Sequence, residues 1–396
     1  MTTSAEAGPI TTPITTPITP ALVRGAAELE PTDRGLLPHR LPAWARAQSD
    51  DPQLAAAEAR PSGVRLAVRT RATVIELETL RVTTVHRGLG ARPAGLYDLV
   101  VDGELVDRRE GAGGDVTTID LATGAATTEP GAPGVVRFDG LPDRVKDVEV
   151  WLPWNEVTTL VGLRTDAPVE PLPAGRVWLH HGSSISAGSN ATGTTGIWPA
   201  VAAARGGLDL VNLGLAGSAL LDPFTARTIR DTPADLISLK LGINVVNADL
   251  MRLRAFGPAV HGFLDTIREG HPTTPLLVVS PLYCAIHEDT PGPGAFDPEA
   301  LARGEVRFRA TGDPQQVLAG SLTLRVIRAE LARIVRERAA TDPHLHHLDG
   351  LALYGEADTT EHPLPDGLHP DAATHELIGQ RFADQVLRPG GAFASR

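Results

Sequence analysis

The sequence predicts two domains: an antiparallel β-sandwich, followed by an α/β domain built on a three-layer, doubly wound parallel sheet. Short apolar runs alternate with amphipathic helical stretches after residue 176, whereas strand-like alternation with turn signals fills the region before residue 165. A proline-rich stretch without periodicity, residues 166–175, lies between them. The 396-residue chain is long enough for two cores, because domains usually hold about 100 to 200 residues.

The first half of the chain carries a tail signal and then strand signals. Residues 1–20 contain repeated Ile-Thr-Thr-Pro units, whose prolines favour extended chain, and they are predicted to form a flexible tail; a proline-rich docking ligand is the alternative. Residues 21–165 alternate apolar and polar positions, with Asp102 and Gly103 at a hairpin turn and one helix expected over 51–59. This pattern predicts a jelly-roll-like sandwich, and residues 166–175 are interpreted as a stiff linker.

The second domain is predicted over residues 176–390. Alternation of strands and helices gives parallel strands with helices on both faces, so ligands are expected at the carboxyl ends of the strands. The predicted strands lie at 177–180, 208–213, 236–241, 276–280 and 345–348, and the predicted helices near 198–204, 252–269, 322–339 and 372–386.

Composition limits the partners and the compartment. The chain has 36 Lys and Arg against 48 Asp and Glu, a net charge of −12, which disfavours binding to nucleic acid or to an anionic membrane surface. The N-terminus lacks a secretory pattern, and no apolar run is long enough to cross a bilayer. The single cysteine, Cys284, is expected to be a packing residue in a reducing compartment. A cytoplasmic protein is therefore expected, and its oligomeric state is left open.

Hydroxyl, glycine and amide residues follow three of the predicted strands. Ser184 lies in Gly-Ser-Ser-Ile after the first strand, where a strand-to-helix turn exposes a hydroxyl. Gly217 follows the second strand and Asn244 the third, and both residues offer N–H donors of the kind that an oxyanion requires. Each signal alone has an ordinary alternative, because Ser/Gly loops also cradle phosphate and Gly and Asn are common in turns.

Asp366 and His369 lie in one loop before the last predicted helix. A carboxylate three residues before a histidine can hold the imidazole tautomer while the other ring nitrogen faces a serine. The alternative is a helix-entry loop whose Asp and His serve as caps or are solvated. A loop that only binds an anion does not need a carboxylate paired with a histidine. The presence of Asp366 and His369 therefore favours a catalytic site.

Four segments in this order resemble the SGNH hydrolase family, the GDSL-like esterases and lipases. They are Gly182-Ser-Ser-Ile, Asn-Leu-Gly-Leu-Ala-Gly217, Gly-Ile-Asn244 and Asp366-Gly-Leu-His, and the resemblance covers roughly residues 176–387. It implies a flavodoxin-like catalytic domain with Ser184 as nucleophile and with Asp366 and His369 as its base system. It also implies an oxyanion hole formed by the amides of Ser184 and Gly217 and the side chain of Asn244.

Two positions depart from the family pattern. Ser183 stands where the family has aspartate, which leaves Ser183 and Ser186 as alternative hydroxyls, and Val245 stands where many members have aspartate. The chain as a whole also resembles a two-domain branch of the family, in which a β-sandwich precedes the catalytic domain. That branch includes carbohydrate esterases and a member that transfers a salicyl group in antibiotic biosynthesis.

The resemblance implies a serine esterase that acts on a small-molecule ester through a Ser-His-Asp triad and an acyl-enzyme. One alternative is an O-acyltransferase of secondary metabolism that uses the same triad and an acyl donor, and another is a non-catalytic flavodoxin-like binding domain. This chemistry requires no metal or cofactor. His344, His346 and His347 are interpreted as structural, because no cysteine or carboxylate cluster accompanies them. His181 and Trp198 are candidates for the substrate pocket.

Overall fold

The structure, a computed structural model, describes residues 13–87, 93–120 and 123–394. It confirms a β-rich domain followed by an α/β domain with a parallel sheet. The first domain holds two short helices, α1 (Ala43–Arg46) and α2 (Pro52–Glu58). Its strands are β1 (Ile14–Thr16), β2 (Val23–Arg24), β3 (Glu28–Thr32), β4 (Gly35–His39), β5 (Arg65–Thr70), β6 (Ile75–His86), β7 (Leu96–Val101), β8 (Glu104–Glu110), β9 (Asp115–Ile119), β10 (Ala126–Glu129), β11 (Gly134–Phe138), β12 (Lys146–Trp151), β13 (Val157–Thr165) and β14 (Val169–Pro171).

Two sheets form this domain. One has the order β10-β9-β6-β13-β4-β3, with β1 beside β13 and β11 beside β6; the other has the order β14-β5-β12-β7-β8, with β2 beside β5. Among the described strands the pairing is antiparallel except between β6 and β9, which run parallel. Leu77 and Leu163 from the first sheet share one buried core with Leu66, Val101 and Val150 from the second. The alternating positions predicted from the sequence therefore face each other across this core.

Two of these strands lie outside the predicted sandwich. β1 pairs with the end of β13 although it falls in the predicted tail, and β14 pairs with β5 although it falls in the predicted linker. Their prolines flank β1 or end β14, and proline is tolerated at such edge and terminal positions because no ladder donor is lost there. The structure corrects both predictions at these strands; residues 1–12 of the tail lie outside the described residues.

The second domain is built on five parallel strands in the order β16-β15-β17-β18-β21, close to the predicted positions. These are β15 (Arg176–Gly182), β16 (Leu208–Gly214), β17 (Leu236–Lys240), β18 (Leu276–Val279) and β21 (Leu345–Leu348); β19 (Gly294–Phe296) and β20 (Phe308–Ala310) form a separate hairpin. The helices are α3 (Ser184–Ala187), α4 (Trp198–Gly206), α5 (Pro223–Asp231), α6 (Ile243–Asn247), α7 (Leu253–Gly270), α8 (Ala285–Glu288), α9 (Pro298–Ala302), α10 (Leu324–Arg338) and α11 (Ala372–Val386).

Neighbouring side chains of β15 belong to different hydrophobic clusters. Leu179 packs with residues of α7 and α10, such as Phe263 and Leu331, whereas Trp178 packs with residues of α4 and α11, such as Trp198. Successive strand residues point to opposite faces, so two different sets of helices pack against alternate side chains of this strand. Among the described helices, none combines the length and the apolar character needed to cross a bilayer.

The first domain covers the outer edge of β16, which is an edge strand of the parallel sheet. The buried guanidinium of Arg65 donates to the carbonyl of Leu210 at 3.0 Å. That of Arg40 donates to the carbonyls of Asn212 at 3.1 Å and Gly214 at 2.7 Å. Alternate carbonyls along one strand point the same way, so two arginines of the first domain satisfy acceptors that no neighbouring strand pairs.

Candidate active site

Ser184 lies where β15 meets α3, at the carboxyl edge of the parallel sheet. Its residue is 9% exposed, whereas Ser183 and Ser186 are fully buried. The hydroxyl of Ser186 shares a 2.8 Å hydrogen bond with Nε2 of His180, and Nζ of Lys240 donates to the hydroxyl of Ser183 at 3.5 Å. Both alternative hydroxyls are therefore enclosed in the protein, and Ser184 is the most accessible of the three serines.

The structure brings Ser184, His369 and Asp366 together. Oγ of Ser184 lies 2.9 Å from Nε2 of His369. Nδ1 of the same ring lies 2.7 Å from Oδ2 of Asp366. A serine hydroxyl, an imidazole and a carboxylate thus form one hydrogen-bonded series, although 185 positions separate the serine from the histidine.

The aspartate is held in its ionised form. Burial alone would raise the pKa of Asp366, but hydrogen bonds from the ring and the amide of His369 and from the amide of Leu368 outweigh it and lower the pKa below its ordinary value. An ionised carboxylate only accepts hydrogen bonds, so Nδ1 of His369 carries the proton when the ring is neutral. Nε2 is then free to accept the proton of a serine hydroxyl.

The predicted oxyanion donors follow three neighbouring strands of the parallel sheet, β15, β16 and β17. Ser184 begins α3, so its amide is one of the unpaired donors at a helix N-terminus, and Gly217 adopts a φ of +76° in the turn after β16. Oδ1 of Asn244 accepts from the amide of Ala219 at 3.2 Å, which ties that turn to α6 and leaves the Asn244 NH₂ group as a donor. Across residues 13–87, 93–120 and 123–394, no hydrogen bond engages the amides of Ser184 and Gly217 or the Asn244 NH₂.

A buried lysine lies next to the turn that carries Ser183 and Ser184. Lys240 ends β17, and full burial lowers its pKa to about 8. Cys284 lies nearby and is buried as predicted; its thiol donates to the carbonyl of Gly367 at 3.4 Å, and burial raises the pKa of this thiol to about 12. Ser183, which stands where the family has aspartate, therefore faces the ammonium group of Lys240.

The hairpin of β19 and β20 borders the histidine and was not assigned from the sequence. The ring of Phe308 meets that of His369 edge-on, with 5.5 Å between the ring centres, and the amide of Phe308 donates to the carbonyl of Asp366 at 2.9 Å. The local signal was the alternation of Val306, Phe308 and Ala310 with two arginines, and only three residues of this segment form the strand.

His181 and Trp198 lie in the core, which differs from the prediction that they line a substrate pocket. Nδ1 of His181 contacts the carbonyl of Leu213 at 2.8 Å, its ring stacks on Phe263, and burial lowers its pKa to about 4. Trp198 is fully buried against Trp178. Their proximity to Ser184 in sequence was misleading, because strand alternation and the start of α4 direct both side chains into the packed layers.

The histidines of β21 were considered above as metal ligands. Burial lowers the pKa values of His346 and His347, which lie on a parallel strand at the sheet edge. Among the residues that the structure describes, no group of three or more His, Cys, Asp or Glu side chains is placed to hold a metal ion.

The fold and the site define an α/β protein with a serine, a histidine and an aspartate in hydrogen-bonded series at the carboxyl edge of a parallel sheet. Residues 181–377 match the GDSL-like Lipase/Acylhydrolase family. The resemblance predicted from the sequence is thus confirmed. No curated protein sequence gives a significant match.

Several solved structures match most of the length of the chain. The chain is similar to the salicylyl-acyltransferase SsfX3 from a tetracycline biosynthetic pathway, with 28% identity, a TM-score of 0.76 and coverage of 93% of this chain and 95% of that one. The acetyl xylan esterase Est2A from the rumen bacterium Butyrivibrio proteoclasticus has 11% identity, a TM-score of 0.53 and coverage of 94% and 96%. A family two carbohydrate esterase from Clostridium thermocellum has 13% identity, a TM-score of 0.52 and coverage of 82% and 91%. For the two esterases the similarity shows the fold alone.

Proposed function

We propose that the protein is a serine esterase that forms an acyl-enzyme on Ser184. The observation that carries the proposal is the continuous hydrogen-bonded series from Ser184 through His369 to the ionised Asp366. The match to the GDSL-like family supports the same chemical class. A non-catalytic binding domain has no need for this series, because binding an anion requires neither a base nor a carboxylate that orients it.

The reaction proceeds in two steps. Nε2 of His369 takes the proton of Ser184 while Oγ attacks the ester carbonyl, and Asp366 stabilises the imidazolium. The tetrahedral intermediate collapses, the bond to the alcohol oxygen breaks, and His369 returns its proton to the departing alcohol. Water then gives a proton to His369 and attacks the acyl-enzyme. The bond from the acyl carbon to Oγ breaks, the acid leaves, and His369 returns its proton to Oγ, which restores the Ser184 hydroxyl.

The negative oxygen of each tetrahedral intermediate needs donors, and we assign them to the amides of Ser184 and Gly217 and the NH₂ group of Asn244. In the described part of the chain none of these three has another hydrogen-bond acceptor. Donors that are fixed before the reaction stabilise the developing charge without reorganisation, and the loss of one typically costs about 3 kcal/mol.

A second candidate function is acyl transfer to an alcohol. It is favoured by the similarity to a salicylyl-acyltransferase across nearly the whole chain, at a higher identity than to either esterase. The triad chemistry is the same up to the acyl-enzyme, and only the second nucleophile differs. Incubation with a small acyl ester and candidate hydroxyl-bearing acceptors distinguishes the two functions: acylated acceptor supports transfer, and free acid alone supports hydrolysis.

The central test is the pair of variants Ser184→Ala and Ser189→Ala, assayed with a chromogenic short-chain ester and a labelled fluorophosphonate. Ser189 is a matched control because it follows α3 in the same segment. We expect activity and labelling to vanish only in Ser184→Ala, with the adduct mapped to Ser184. Full activity in Ser184→Ala, or an adduct on Ser183 or Ser186, would overturn the assignment. A wild-type protein that neither labels nor turns over ester would support the binding domain.

A further inference from the structure

The peptide unit that joins Ala216 to Gly217 is held by a residue of the first domain. Nε2 of Gln53, in α2, donates to the carbonyl of Ala216 at 2.8 Å. In a planar trans peptide the C=O and the following N–H point in opposite directions. A donor that fixes the carbonyl of Ala216 therefore also fixes the direction of the Gly217 N–H, which we have assigned to the oxyanion hole.

Gln53 also lies directly against Gly217. A Cβ atom on Gly217 would lie 2.9 Å from Nε2 of Gln53, and the φ of +76° at this residue is one that side-chain-bearing residues rarely adopt. Glycine at this position thus permits two things at once: the backbone conformation of the turn and the close approach of the amide from the other domain.

The backbone position of Gln53 is set by Asp51 and Leu54, its neighbours in α2 and its cap. The side chain of Asp51 caps α2 by accepting a hydrogen bond from the backbone N–H of Gln53 at 2.9 Å. Leu54, the next residue, is buried in a small cluster shared by the two domains, in which Leu215 lies immediately before Ala216. The other members of this interdomain cluster are Leu41, Ala45 and Phe224. Consecutive residues of α2 therefore contact consecutive residues of the turn after β16.

We propose that Gln53 is a positioning residue of the first domain that orients the Gly217 amide toward the oxyanion, so that the catalytic site is completed by both domains. The inference rests on the proposed function, and it goes beyond it by assigning a catalytic contribution to the β-rich domain. Gln53 acts through Gly217 and does not exchange a proton with the substrate.

The test compares Gln53→Met, which keeps the length of the side chain but lacks the donor, with Gln53→Glu, whose carboxylate repels the Ala216 carbonyl. Gln48→Ala is the control, because Gln48 also bonds across the domain boundary, to Arg227, but not to this peptide. We expect kcat to fall about 10-fold in Gln53→Met and further in Gln53→Glu, with KM nearly unchanged, since an oxyanion contact forms only in the transition state. The control keeps the wild-type kcat.

Two further readouts separate this role from a structural one. Affinity for a boronic acid, which forms a tetrahedral adduct with a serine, should fall in parallel with kcat, while the thermal melting temperature stays within the range of Gln48→Ala. A wild-type kcat and boronic acid affinity in Gln53→Met would overturn the inference while leaving the proposed function intact. Failure of the proposed function would appear differently, as activity that survives in Ser184→Ala.

Discussion

Asp366 contacts His369 twice: Oδ2 accepts from the ring Nδ1 at 2.7 Å, and Oδ1 accepts from the backbone amide at 2.7 Å. One carboxylate therefore fixes both the ring and the backbone of the histidine. In Asp366→Asn the new NH₂ group donates to Nδ1 and moves the ring proton to Nε2, where it blocks acceptance from Ser184. We expect kcat to fall by about 10³- to 10⁴-fold with the fold retained. Steady-state kinetics with Asp313→Asn as a surface control measures this; a loss below tenfold would contradict it.

In the proposed function the two side-chain groups of Asn244 have separate roles: Oδ1 holds the Ala219 amide, and the NH₂ group donates to the oxyanion. In Asn244→Asp the acceptor for the Ala219 amide is kept and the donor is lost, so the turn stays in place while the oxyanion loses a hydrogen bond. We expect kcat to fall by about 10²- to 10³-fold with little change in the free energy of unfolding. Asn247→Asp, at the other end of α6, is the matched control and should keep most of its activity. Equal losses in both variants would show that a negative charge near α6, rather than the missing donor, is responsible.

Asp209 links the two domains at the opposite end of β16 from the active site. It forms ion pairs with Arg24 at 2.8 Å and with the buried Arg65. Asp209→Ala removes a carboxylate that balances the charge of the buried Arg65 guanidinium. We therefore expect the free energy of unfolding in urea to fall by about 3 kcal/mol. Asp143→Ala, which removes a surface partner of Arg71, should cost less than about 1 kcal/mol. A similar small cost for both variants would argue against an ion pair that holds the domains together.

Lys240 makes the free energy of unfolding depend on pH in the alkaline range. Its pKa is about 8 in the folded protein against 10.5 for an ordinary lysine, so between these values the unfolded chain binds more protons and stability rises with pH. Below this window the cost of the buried ammonium is fully present. Lys240→Met removes that cost, and we expect it to be more stable than the wild type by about 3 kcal/mol near pH 7. The advantage should shrink as the pH rises toward 10.5. Urea unfolding across this range measures it, and an advantage that does not vary with pH would refute the assigned titration.

The sequence predicted the parts of the structure that depend on local pattern. β15, β17 and β18 are short apolar runs, so their positions can be predicted without long-range information. The same holds for the contact between Asp366 and His369, because both residues lie in one loop. The sequence predicts a linker at β14, because the partner of this strand, β5, lies far away in sequence. The parallel contact of β6 with β9 likewise depends on packing between distant segments.

The same limit applies within the site. The hydroxyl of Ser184 could be placed at a strand end, but Gln53 is separated from Ala216 by 163 positions and belongs to another domain. No periodicity in α2 marks Gln53, because the residue is exposed and its role comes only from the partner that docking supplies. His181 shows the reverse error: it lies three residues before Ser184 in sequence, yet alternation along β15 directs its ring toward α7.

The row of side-chain donors along β16 has a consequence for the second domain taken alone. Arg65, Arg40 and Gln53 occupy the carbonyls of alternate residues from Leu210 to Ala216. Without them the strand would present an open edge, a template onto which another chain can add a strand and begin aggregation. The β-rich domain thus covers this edge, and we expect the second domain alone to self-associate more readily than the whole chain.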